Sequence, residues 1–167
     1  RAFDVEKLQG IIRADSASAS ASASASAPAW DAIFPNCNKE YYDIWALRSN
    51  ALGITTDCWN EYNRLRHKNI PVAEAKKRAI GKWQVKIAEN AEPIPVESAF
   101  GGMGIYRLKK TTGCKYVGRR TIPGTNMGEH CCEHVPFHAD MIKKHGAKLF
   151  IYPSLIVETQ EEHVLRG

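Results

Sequence analysis

Apolar residues recur at helical spacing through the opening segment DVEKLQGIIRA, where Val5, Leu8, Ile11 and Ile12 share one face. Asp4 stands where a helix N-cap would, so residues 4–14 are predicted as a short amphipathic helix. Two apolar runs follow, Trp30 to Phe34 and Tyr41 to Leu47, parted by the turn formers Pro35 and Asn36. They predict neighbouring strands of a sheet. In DCWNEYNRLR the positions Trp59, Tyr62 and Leu65 fall three apart behind Asp57, which predicts a helix. Pro71 opens a second predicted helix reaching Asn90, with Val72, Ala75, Ala79, Trp83 and Ile87 on one face.

After Pro93 the period changes. Pro95-Val96 and Ile105 to Leu108 read as strand around the Gly101-Gly102 bend, and Cys114 to Val117 reads as another short strand. Pro123, Gly124 and Gly128 mark Arg119 to Gly128 as loop. A helix is predicted from Glu129 or Cys132 to Lys144, stopped by Gly146, with a final buried strand from Lys148 to Tyr152. This mixture of helices and strands, without internal repeat, predicts a three-layer α/β architecture.

Composition divides the chain further. Residues 15–29 hold an alternating Ser-Ala tract with no side chain large enough to offset ordering entropy, so they read as a flexible low-complexity insert. Residues 1–14 are then an N-terminal helix, and residues 30–167 carry the domain. At 167 residues, 44% hydrophobic and 25% charged, the chain has ordinary globular composition for one domain. It begins at Arg1, which raises the expectation of a further segment upstream.

The formal net charge of +5 is scattered in short clusters such as Lys76-Lys77-Arg78. A nucleic-acid binder more often shows a basic stripe with interleaved aromatics, so no nucleic-acid partner is expected, whereas a modest positive charge suits an acidic small molecule. Five cysteines, two of them adjacent, match neither a paired disulfide framework nor a zinc ribbon. The sequence shows neither a signal-peptide pattern nor a membrane-spanning run, so no membrane contact is expected of it and the cytoplasm is the default location.

The densest chemistry lies in GEHCCEHVPFH. On one helix His130, His134 and His138 would share a face, and His134 and His138 are candidate metal ligands. The outer two histidines would lie about 12 Å apart at about 1.5 Å per residue, too far for all three to hold one ion. Cys131 and Cys132 are either thiolate ligands or small buried residues at a helix start. Glu133, near the first turn, is either a capping carboxylate or a general base kept ionised by the helix dipole. Gly101-Gly102 either makes a turn or lets backbone approach a ligand closely. Asp31 and Asp43 sit among apolar residues and must find partners, as structural hydrogen-bonders or as pocket lining. No GxGxxG, P-loop or GxSxG occurs.

The blocks WDAIFPN, YYDIWALR with DCW, PVESAFGGMGIYRL, CKYVG, CEHVPFH and KLFIYPSLI together resemble glycosyltransferase-like proteins of GT-A type, in matching order from Trp30 to Ile156. The resemblance implies a Rossmann-like mixed sheet and transfer of a sugar from a nucleotide-sugar donor to a hydroxyl acceptor, a glycan among others. It also implies a divalent cation, manganese or magnesium, held by an Asp-x-Asp motif. This chain has no Asp-x-Asp. Either the donor-binding half lies upstream, leaving an acceptor-side portion incomplete at its N-terminus, or the chain is an inactive remnant. A zinc-stabilised interaction domain is the other alternative. By resemblance Glu133 takes the place of the catalytic base, and Phe100, Gly101 and Gly102 form the acceptor-side loop. His134 or His138 then orients the acceptor, completes the metal shell or stabilises the departing phosphate. Asp31, Asp43 and Trp45 shape the sugar pocket or the core behind it.

Overall fold

Every residue of the strand Ala32–Cys37 (β1) is buried, as a strand flanked on both sides and covered on both faces must be. A computed structural model describes residues 4–18, 29–121 and 128–158. In it β1 pairs in parallel with Leu149–Val157 (β6), Ala32 opposite Leu149, with a register shift between Pro35 and Asn36. Short antiparallel strands close the edges: Ile94–Pro95 (β2) on β6 and Ile105–Tyr106 (β3) on β1. The order is β2-β6-β1-β3, a four-stranded mixed open sheet.

The pleat sends alternate residues to two cores. Ile33, Trp30, Tyr152 and Leu155 form one, against which Leu8 and Ile11 of the helix Val5–Ser18 (α1) pack. Ala32, Phe34, Leu149 and Ile151 face the other, with Tyr41, Leu47, Ile54, Val96 and Met141. Met141 belongs to the helix His134–His145 (α4), so helices cover both faces. The helices Cys58–His67 (α2) and Val72–Ala79 (α3) enclose a third cluster of Ile44, Cys58, Leu65, Ala75 and Ala79. The described residues therefore form an α/β fold with a mixed sheet and four α-helices.

Several sequence-based expectations are corrected. Tyr41 to Leu47 is a turn, because Asp43 caps it: its carboxylate accepts the Ala46 N–H at 3.1 Å and its carbonyl the Leu47 N–H at 3.2 Å, bonds that replace a ladder. The helix opened by Pro71 stops at Ala79. A single 3-10 turn, Gly81–Trp83, follows, and the chain then leaves helical form because the Val85 and Ile87 carbonyls accept the Tyr41 N–H and the Asn36 side-chain amide. Cys114 to Val117 joins no sheet; α4 holds it instead, with Asp140 accepting the Lys115 N–H at 3.1 Å and Lys144 donating to the Gly113 carbonyl at 2.7 Å. The presumed loop from Arg119 contains a hairpin, Arg119–Thr121 (β4) against Gly128–His130 (β5), while residues 122–127 lie outside the described residues. His130 is thus on a strand, and α4 begins four residues later. Helix α1 runs into the Ser-Ala tract as far as Ser18, since alanine and serine are tolerated in helices; residues 19–28 of the insert lie outside the described residues.

The glycine bend is forced by packing. A Cβ on Gly101 would sit 2.5 Å from the Pro35 carbonyl oxygen, a backbone atom of the central strand that cannot yield, and Gly102 follows with φ of 85°. Gly101→Ala is expected to lower stability by about 1–3 kcal/mol through this overlap, read from the urea midpoint; an unchanged midpoint would show that the bend moves freely off β1.

Candidate functional site

Four aromatic rings stack in a column where the glycine bend meets the start of α4. Phe100 lies on His134 with ring centroids 4.2 Å apart and planes 18° apart. His134 stacks on His138 at 5.8 Å, and His138 on Tyr106 at 5.8 Å. Helical geometry explains the middle pair, since residues four apart share one face. The bend carries Phe100, and β3 carries Tyr106 back beside β1.

His138 is fully buried, with Nδ1 2.9 Å from Ser98 Oγ and Nε2 3.0 Å from the Tyr106 hydroxyl. Ser98 is fixed by backbone hydrogen bonds to Arg48. Burial foremost, and the neighbouring His134 once it is protonated, depress the His138 pKa to about 3, so the ring is neutral at neutral pH. The unfolded chain returns it to about 6.5, so between pH 6.5 and 3 the unfolded state binds a proton that the native state does not. Stability from this group is complete above pH 6.5 and is lost as pH falls toward 3, at up to about 1.4 kcal/mol per pH unit. His138→Gln is expected to flatten that slope in urea melts taken from pH 7 to 4, and an unaltered slope would clear His138 of the effect.

Around the column's outer end lies the polar part of the site. The Tyr116 hydroxyl donates to Glu133 Oε1 at 3.2 Å and lies 3.1 Å from His134 Nε2. Burial and then the Glu133 charge push the Tyr116 pKa up to about 12. Asp43 is close enough to feel both Glu133 and His134; burial foremost raises its pKa, with the Ala46 N–H and His134 opposing. Burial lowers that of His134 against the pull of Asp43 and Glu133. A carboxylate, a tyrosine hydroxyl and an imidazole thus meet at one partly open place, with Asp43 within electrostatic reach, the kind of set from which proton transfer to or from a bound hydroxyl is built.

Of the residues expected at a site, the fold gathers Phe100, Glu133, His134 and His138, with Asp43 within electrostatic reach and Gly101 and Gly102 shaping the bend that delivers Phe100. It does not bring Asp31 or Trp45 to this place. Asp31 accepts the Lys148 N–H at 2.9 Å and lies 3.8 Å from Lys110 Nζ, tying the start of β1 to that of β6. The Trp45 indole donates to Asp57 at 2.9 Å beside α2. Sequence reasoning missed Ser98, Tyr106 and Tyr116. The last was signalled by CKYVG standing as a separate block although it forms no strand.

A divalent cation fits these residues poorly. Among the described residues no three His, Cys, Asp or Glu side chains gather as ligands, and both ring nitrogens of His138 are already engaged. All five cysteines are free thiols, and burial raises the Cys132 pKa to about 12. Open grooves among the described residues elsewhere include one of about 350 Å³ at the start of α2, lined by Arg48, Thr55 and Asn60 among others, and one of about 420 Å³ beyond the ends of β1 and β6. No described helix is long and apolar enough to cross a membrane. Compared with known family models, curated proteins and solved structures, the chain matches none.

Proposed function

We propose that this chain is the acceptor-side portion of a GT-A-type, Rossmann-like glycosyltransferase that moves a sugar from a nucleotide-sugar donor to a hydroxyl acceptor. The observation that carries the reading is the stack of Phe100 on His134, which joins the AFGGM bend to the CEHV helix start and sets Glu133 at the rim. The blocks on which the resemblance rests include those that form the sheet centre and this cluster.

Glu133 takes the proton of the acceptor hydroxyl as that oxygen bonds to the anomeric carbon; the bond from that carbon to the diphosphate breaks and its electron pair leaves with the phosphate. Tyr116, donating to Glu133, orients the carboxylate. Any cation on the donor diphosphate is held by groups other than those described.

The test offers the full-length protein a panel of nucleotide-sugars with manganese and simple alkyl glycosides, and follows nucleoside diphosphate release together with the mass of the product. Transfer in any pairing supports the reading. Glycoside binding without donor turnover replaces it with an inactive binding domain, and neither turnover nor calorimetric binding sinks both.

A further inference from the structure

The hairpin of α2 and α3 concentrates the chain's positive charge. Residues 58–86 carry eight Lys and Arg against two Glu, a net +6, whereas the remaining 15 Lys and Arg are outnumbered by 16 Asp and Glu. Both helices turn their inner faces to the cluster of Ile44, Cys58, Leu65, Ala75 and Ala79, which leaves their outer faces to solvent. The arginines there are already engaged: Arg64 forks onto Glu61, Arg78 donates to Glu74, and Arg66 donates to the Ile70 carbonyl. Lys68, Lys76, Lys77 and Lys82 are exposed and join no ion pair among the described residues. Apolar side chains stand in the open among them. Trp59 is 41% exposed and Val72 46%, the latter one helical turn before Lys76.

This distribution selects the partner. A structured phosphate or an acidic protein motif is read by forked arginines held in fixed geometry, and here those forks are occupied. Single-stranded nucleic acid stacks its bases on open ring faces. In the hairpin, Lys82 Nζ lies 4.2 Å over the Trp83 ring, and Trp59 meets Tyr62 edge to face at 5.8 Å. What is left is a set of flexible point charges beside an exposed tryptophan, which suits a surface whose anionic groups are mobile and whose interior is apolar.

We propose that the outer face of the α2–α3 hairpin docks on an anionic phospholipid bilayer, with the four lysines among the headgroups and Trp59 and Val72 entering the interface. The attachment is peripheral, which needs no spanning helix. It draws on other elements than the stack of Phe100 on His134 and does not depend on the glycosyl-transfer reading.

Sedimentation of the full-length protein with lipid vesicles tests this. Vesicles of equimolar phosphatidylcholine and phosphatidylserine are expected to carry the protein down, and vesicles of phosphatidylcholine alone are not. Raising the salt from about 0.1 M to about 0.5 M is expected to release it. Lys76→Gln combined with Lys77→Gln is expected to weaken binding by about tenfold or more. Lys109→Gln combined with Lys143→Gln removes the same charge from exposed lysines outside the hairpin and is expected to leave binding unchanged. Lipids brominated in their acyl chains are expected to quench the tryptophan emission of the wild type more than that of Trp59→Phe. All of these side chains are exposed, so the variants keep the fold, which an unchanged urea midpoint verifies.

Failure to sediment with the phosphatidylserine vesicles, or equal weakening by the two lysine pairs, overturns the proposal. Binding to polyuridylate without binding to vesicles assigns the hairpin to nucleic acid and overturns it as well.

Discussion

Asp57→Ala is expected to lose about 3–5 kcal/mol of folding stability, read from urea denaturation. Its carboxylate caps α2 by accepting the Trp59 and Asn60 N–H groups at 2.9 and 3.1 Å, and its other oxygen accepts from the Trp45 indole and from Arg48, each at 2.9 Å. The side chains of Arg48 and Asp57 are 11% and 5% exposed. Truncation therefore strands a guanidinium away from water as well as uncapping a helix, and the stranded charge is the larger loss. Arg48 also donates to the Trp45 and Leu47 carbonyls, so its displacement loosens the turn that holds Asp43. Asp57→Asn retains a cap oxygen without the charge and should fall between alanine and wild type. A loss below about 1 kcal/mol on alanine substitution, the worth of a cap alone, would mean that the ion pair contributes nothing.

For Glu133→Gln the expected result is a fall in turnover of about 10²–10⁴-fold, with donor affinity unchanged. Glutamine keeps the length of the side chain and an oxygen able to accept from Tyr116, so the aromatic column has no reason to move. What it loses is the capacity to take a proton. Steady-state kinetics beside calorimetric titration separates the two quantities. Turnover equal to wild type would remove Glu133 as base, and Asp43, whose charge reaches the same place, would be the next carboxylate to replace.

The helices were legible in sequence where local signals agreed: Asp57 before a period-three apolar run, and Gly146 after Lys143 and Lys144 in the last turn of α4. The two central strands were legible as apolar runs, though not that β1 continues through Pro35 and Asn36, read as turn formers, to Cys37, nor that β6 extends through Pro153 to Val157. Elsewhere distant partners overrode local pattern. Tyr41 to Leu47 has the composition of a strand, yet Asp43 folds it into a turn, and whether an aspartate caps a turn depends on the space around it. The α3 segment carries helical spacing to Ile87, but two carbonyls within it are claimed by Tyr41 and Asn36, far away in sequence. The site was half legible. Histidines four apart on a predicted helix, the glycine pair and, through the resemblance, Phe100 and Glu133 were visible, whereas the hydroxyls of Ser98, Tyr106 and Tyr116 that engage the histidines come from segments that only the tertiary fold brings near.

The parallel pairing of Ala32 with Leu149 has a consequence for biosynthesis. This inner strand waits for a neighbour separated from it by most of the domain, so its edge toward β6 stays open while the intervening chain is made, and its other edge meets only the two residues of β3. Such late, non-local closure slows folding and exposes an adhesive edge in the meantime. A stop codon anywhere before residue 149 would remove the middle of the sheet and leave a product fated for chaperones or proteases.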